Sequence, residues 1–348
     1  MQEVQTKSIL MQFLRENTSF ELIDRGSWFY AVKHAEQEQA ERIAFRADMD
    51  ALPMAETIAL PYASQNPGIS HKCGHDGHMS VLCGLAAELE HCSLPKSVYL
   101  IFQPGEETGS GAYLCRGILH EERISEIYAF HNLSGYPQGT VVYHPDTTQP
   151  ASEGIKIKLT GKASHAAEPE MGNNPSHAIA SIILYAEKLC RCEDNHLLLC
   201  TVTGIQMGTG DFGISPGHGE LCMTLRSDEE QEMKKLENCI VSFTKDLAAE
   251  YGLQMDYQIC DYFPETRNNP QCLKKVEQAA ALAGIPVVEM DSLWRPSEDF
   301  GYYLKECPGA LFYLGNGENH TAVHTNEYDF NDRISEPAIE VFRNIVLL

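Results

Sequence analysis

Three apolar runs, Arg42 to Ala47, Ser97 to Gln103 and Glu126 to Phe130, alternate with helical stretches, and residues able to do chemistry follow each run. That order constrains the fold more than any other feature. Strands alternating with helices favour a mainly parallel sheet with helices on both faces, and such sheets place their sites beyond the carboxyl ends of the strands. Asp48 and Asp50 follow the first run, Glu106 and Glu107 the second, and His131-Asn132 the third. Helical periodicity is visible in MSVLCGLAAELEHC after His78, in GAYLCRGIL and over 271–283. The Ser297-Glu298-Asp299-Phe300 turn and a strand from Ala310 to Leu314 complete this α/β domain, and the N-terminal twenty residues read as an amphipathic helix.

From about Gly154 the pattern changes. A strand from Ile155 to Gly161, a helix from Pro175 to Leu189, strands from His196 to Met207 and Glu220 to Arg226, a helix from Glu229 to Tyr251 and a strand from Leu253 to Cys260 follow one another. The order β-α-β-β-α-β predicts a ferredoxin-like α+β satellite inserted into the first domain. The expected division is a catalytic domain of residues 1–152 and 264–348 and a satellite of residues 153–263, with hinges near 150–154 and 261–265.

Between the first two runs lies HKCGHDGH, His71 to His78, which brings a thiol, imidazoles and a carboxylate into one glycine-containing loop. Those are the ligand types that hold zinc, manganese, cobalt or nickel. Cys73 and His75 can reach one metal cluster only if the backbone turns between them, which Gly74 and Gly77 permit. Each candidate also has an ordinary reading: Glu106-Glu107 as a solvated helix start, His131 as a core histidine, Asp48 and Asp50 as turn formers, His165 as a loop residue. Their joint occurrence at strand ends points to a metallohydrolase. His320 and His324 share one short segment, and spacing does not choose between them.

Composition narrows the partners. With 49 acidic against 26 basic side chains the formal charge is -23, which disfavours phosphate backbones and anionic membrane surfaces. A small-molecule substrate is expected, with no nucleic acid or membrane partner. Twelve irregularly spaced cysteines and no apolar export segment predict reduced thiols and a cytoplasmic location.

RADMDALP, HKCGHDGHM, FQPGEETGSGA, His131-Asn132, GKASHAAEP, SEDF and the His324 segment together resemble the metal-dependent amidohydrolases that include hippurate hydrolase, N-acyl-amino-acid hydrolases and indole-acetyl-amino-acid hydrolases, within the wider aminoacylase and carboxypeptidase family. The resemblance implies two divalent metal ions held by Cys73, His75, Glu107, His131 and His324. It also implies Glu106 as general base and Asp50 as the carboxylate orienting a metal-bound histidine. His165 resembles a satellite histidine that, in dimeric relatives, crosses to the partner's site to stabilise an oxyanion, so a homodimer is expected. Relatives commonly carry Asn-Val-Ile-Pro where this chain has Gly213-Ile214-Ser215-Pro216. Gly213 cannot supply the asparagine's amide, and Asn173, Asn174 or Arg226 are the candidates to compensate. The expected reaction is hydrolysis of N-acyl amino acids, with a dipeptidase or carboxypeptidase, or a non-catalytic metal-binding protein, as alternatives.

Overall fold

The computed structural model of the protein describes residues 2–190 and 196–348. In chain order, α1 (Val4–Asn17), β1 (Glu21–Asp24), β2 (Phe29–Lys33), β3 (Arg42–Asp48), α2 (His75–Leu89), β4 (Ser97–Gln103), β5 (Glu126–Ser134) and β6 (Val141–Tyr143) come first. Next are β7 (Ala151–Thr160), α3 (Ser176–Leu189), β8 (Leu198–Met207), β9 (His218–Ser227), α4 (Glu230–Glu250) and β10 (Gln254–Phe263). The chain ends with α5 (Pro270–Leu282), β11 (Val287–Glu289), β12 (Gly309–Gly317) and α6 (Ser335–Leu347).

These elements form two compact units, Met1–Thr148 with Thr266–Trp294 and Glu298–Leu348, and Gln149–Glu265 with Arg295–Ser297. In the first unit an eight-stranded sheet runs β1-β2-β4-β3-β5-β12-β6-β11. Its centre is parallel: β3 pairs with β4 and β5, and β5 with β12. The flanking strands β1 and β2 join antiparallel, as does β6 against β12. These flanks were not anticipated, because strands as short as β1, β6 and β11 leave little periodic signal.

The central strands alternate between two apolar cores, as a sheet covered on both faces requires. Phe45, Leu100, Phe130 and Phe312 join α1, α2, α5 and α6 on one face. Ala44, Ile101, Ala129 and Leu311 pack on the other against the short helices Gly111–Cys115 and Gly301–Leu304. The helix expected over GAYLCRGIL is two short ones, Gly111–Cys115 and Ile118–Glu121, separated at Arg116-Gly117.

In the second unit the four strands order β8-β9-β7-β10, all antiparallel. That is the ferredoxin-like arrangement, with β7, β9, α3 and α4 enclosing Ile157, Leu221, Ile182 and Ile240 in one core. Among the described residues no helix is long and apolar enough to cross a membrane.

Candidate metal centre

Parallel pairing sets Asp48 of β3 opposite Gln103 of β4, so the segments leaving these strands start side by side. β5 continues to Ser134, which places His131 within the strand instead of beyond an end at Phe130. Helix α2 starts at His75, earlier than its apolar period suggests. The cause is Gly74, the residue before the helix, at φ +103. A Cβ there would lie 2.2 Å from Asn132 Oδ1 and 2.7 Å from the Tyr328 hydroxyl. Only glycine permits both the left-handed turn and that close approach.

The turn brings ligand-type atoms together. Cys73 Sγ lies 3.5 Å from His131 Nε2 and 3.3 Å from His324 Nε2. His324 Nε2 is 3.2 Å from Glu107 Oε1, and His75 Nε2 is 3.9 Å from the same oxygen. Five overlapping groups follow, Cys73-His75-His131, Cys73-Glu107-His324, His75-Glu106-Glu107, Asp48-His75-His78 and Glu106-Glu298-Asp299. Of the two histidines in that segment, His324 is the one brought to these atoms. His324 adopts φ +61 and turns back to Cys73, while His320 Nδ1 stays beside its neighbour's carbonyl, Thr321 O, at 3.1 Å.

Surrounding groups fix the tautomers. His75 Nδ1 is 3.0 Å from the Asp50 carbonyl and 3.2 Å from the Asp50 carboxylate, and the other Asp50 oxygen accepts the Glu107 N–H at 2.9 Å. His131 Nδ1 donates to the Asn132 carbonyl at 2.8 Å. Both residues therefore turn Nε2 toward the centre. His78 has no such freedom, since Asp48 and Asn132 hold its two nitrogens at 2.7 Å each. Both nitrogens of His78, the third imidazole of the loop, are thus already hydrogen-bonded within the protein.

His75 Nε2 and Glu107 Oε1 are buried and make no hydrogen bond, although His324 Nε2 stands 3.2 Å from the Glu107 oxygen. A native interior rarely leaves a polar atom in that state. The donor set of thiol, imidazoles and carboxylate is suited to a transition-metal dication, so the residues fit two such ions. Burial pushes the Cys73 thiol up to about 12. Burial opposes charge on His75 as well, yet the Asp48 carboxylate holds that imidazole well above its ordinary value. A bound cation must displace both protons.

Glu106 sits on a 3-10 turn with Glu107. Burial, then the charges of Glu298 and Asp299, lift its carboxyl well above the usual range. Behind it Arg46, 2% exposed, donates to Asp48 at 2.7 Å, Glu298 at 2.9 Å and Asp299 at 2.8 Å. Gln103 accepts from Arg46 Nε and donates to Asp299. Sequence reasoning missed Arg46 and Gln103 because both stand inside apolar strand patterns. The available signal was the Arg-x-Asp ending of β3 together with the SEDF turn.

The remaining expected residues belong to the second unit. His165 is exposed, and its Nδ1 accepts the Ala167 N–H at 3.1 Å, which leaves the proton of a neutral ring on Nε2. Ile214 pairs with His165, and the Gly213 carbonyl accepts the Ala166 N–H at 3.0 Å, so the Gly213 loop lies beside that histidine. Asn174 donates to Ser215 Oγ at 3.0 Å and accepts from Ser176 N at 2.9 Å. Asn173 donates to the Tyr251 carbonyl at 3.0 Å. Arg226 donates to the Arg295 carbonyl and to Ser297 Oγ, at 3.0 and 2.7 Å.

Comparison with known proteins gives a consistent family. The family described as Peptidase family M20/M25/M40 matches residues 44–348. N-acetyldiaminopimelate deacetylase of Exiguobacterium sibiricum is 29% identical over 332 residues, 92% of this chain and 88% of that one. N-acetylcysteine deacetylase of Bacillus subtilis is 29% identical over 322 residues, 90% of this chain and 83% of that one. Among solved structures, a Bacillus subtilis protein described as a dinuclear metal binding peptidase from the M20 family superposes with a TM-score of 0.85 at 26% identity, covering 100% of this chain and 92% of that one.

Proposed function

The chain belongs to peptidase family M20/M25/M40 and is an amidohydrolase, and from that premise we propose that it cleaves N-acyl amino acids to a carboxylic acid and a free amino acid. The observation that carries this reading is the pair of buried atoms that make no hydrogen bond, His75 Nε2 and Glu107 Oε1, inside a ring of ligand-type side chains. Two divalent ions, manganese, zinc, cobalt or nickel, would be held there by Cys73, His75, Glu107, His131 and His324. When bound, such ions supply Lewis acidity to the amide carbonyl and lower the pKa of water.

The chain's own groups perform the proton chemistry. Glu106, kept basic by burial and by its acidic neighbours Glu298 and Asp299, takes the proton of the attacking water and returns it to the departing nitrogen. Asp50 keeps Nε2 of His75 aimed inward. His165, with its donor at Nε2, stabilises the carbonyl oxygen as it becomes negative. Asn174, Arg226 and the Gly213 loop form the substrate-facing part of the satellite.

A homodimer is the proposed assembly, with His165 acting on the partner's substrate. Support comes from β8, which among the described residues is an edge strand paired with β9 alone, with Ile205 and Met207 50% and 38% exposed. Such an edge is a template for another chain. The described cysteines are free thiols, which supports a reducing, cytoplasmic setting. The net charge of -23 supports small-molecule substrates over nucleic acid or membranes.

The experiment is amine release from N-acetyl and N-benzoyl amino acids and from dipeptides, with protein loaded in turn with manganese, zinc and cobalt. Release from the acyl amino acids supports the proposal. Release from dipeptides alone would replace it with a dipeptidase, and metal binding without any release would favour a non-catalytic metal-binding protein.

A further inference from the structure

The carbonyl of Lys72 accepts the His324 N–H at 2.6 Å, and the ammonium of the same lysine donates to the Tyr328 carbonyl at 2.8 Å. One residue thereby holds both ends of the turn from His324 to Tyr328. The Lys72 side chain is 1% exposed, and Glu56 Oε1 accepts from its ammonium at 2.7 Å. A lysine is seldom buried to this degree unless it is paired. Here its partners are one carboxylate and the main chain of the loop that bears His324.

His324 depends on such restraint. It is a non-glycine residue at φ +61, a state that persists only where the surroundings over-determine it. Lys72 also directly precedes Cys73, whose thiol lies 3.3 Å from His324 Nε2. Asn132 reinforces the junction from β5, donating to the Cys73 carbonyl at 3.1 Å and the Tyr328 hydroxyl at 2.8 Å.

We propose that Lys72 is a positioning residue for one of the two metal sites: it clasps the turn 324–328 to the Cys73 loop so that Cys73, Glu107 and His324 offer their donor atoms to one cation. The inference rests on the dinuclear reading above. His75 and His131 stand on α2 and β5, outside the clasped turn, so the two sites respond differently when the clasp is cut.

The test is calorimetric titration of the full chain with zinc, alongside titration with cobalt(II), whose thiolate charge-transfer absorption reports Cys73. Wild type binds two equivalents. Lys72→Met keeps the first equivalent, with thiolate absorption from Cys73 beside His75 and His131, and loses about tenfold or more in affinity for the second. Glu56→Gln, which leaves the ammonium a neutral partner, moves the second affinity the same way by less, and it decides the matter if Lys72→Met does not fold. Thr57→Val removes a different tie to the same turn, the hydrogen bond from Thr57 Oγ1 to the Asn326 carbonyl at 3.0 Å, and leaves both affinities unchanged. Wild type binding fewer than two equivalents overturns the dinuclear reading itself. Wild type binding two while folded Lys72→Met matches it, or Thr57→Val losing as much as Lys72→Met, overturns the clasp alone.

Discussion

The Asp50 carboxylate touches His75 and Glu107 at once, lying 3.2 Å from the imidazole Nδ1 with one oxygen and accepting the Glu107 N–H at 2.9 Å with the other. A single side chain thus aims two candidate ligands. Asp50→Ala removes both restraints and is expected to cost about 10- to 100-fold in metal affinity, measured by competition with a chromogenic chelator. Unchanged affinity would remove Asp50 from the account.

Gly74→Ala combines a left-handed backbone at φ +103 with a Cβ that would meet Asn132 Oδ1 at 2.2 Å. The two penalties together predict a loss of about 2 kcal/mol or more in urea unfolding. The variant also loses metal affinity, because Asn132 cannot withdraw without releasing the Cys73 carbonyl it holds at 3.1 Å. A variant as stable as wild type contradicts the assigned turn.

Arg46 is the cation shared by Asp48, Glu298 and Asp299. Arg46→Met leaves those carboxylates buried without it, so stability falls by about 3–5 kcal/mol. Lysine does not rescue, since a single ammonium cannot reproduce the guanidinium fork. Denaturant unfolding of the Met and Lys variants checks both statements, and full stability with lysine would refute the second.

How much of this was legible in the sequence depends on distance along the chain and on local pattern. Cys73, His75, Glu106 and Glu107 stand at turns and strand ends, where ligand types are conspicuous, and the structure brings them together with His324 and with His131 from within β5. The Arg46 network was not legible, because Arg46 lies within an apolar strand and its partners Glu298 and Asp299 are 252 and 253 residues away. Periodicity could not separate His78 from His75 either. Their difference is hydrogen bonding, with His78 held on both nitrogens. Spacing did not choose between His324 and His320; the resemblance pointed to His324, whose φ of +61 no composition rule predicts.

In the satellite, Glu153 is buried and accepts from Lys234 at 2.7 Å with one oxygen, while its other oxygen has no partner. Burial raises its carboxyl above the ordinary value, and Lys234 offsets this only in part. The folded state therefore holds the proton more tightly than the unfolded state. Its contribution to stability is complete below the unfolded value of about 4.3 and is lost as pH rises through the raised folded value. Relative to Glu153→Gln, wild type is predicted to lose stability as pH rises across that window, read by unfolding at a series of pH values. Parallel profiles would contradict it.

If Glu106 moves the proton while its neighbours hold the metals, Glu106→Gln separates the two roles, and the comparison with wild type is of metal stoichiometry and of turnover of an N-acetyl amino acid. The expected result is two equivalents bound by both proteins and turnover lower by about 10²- to 10⁴-fold in the variant. Near-normal turnover in Glu106→Gln with both equivalents bound would contradict it.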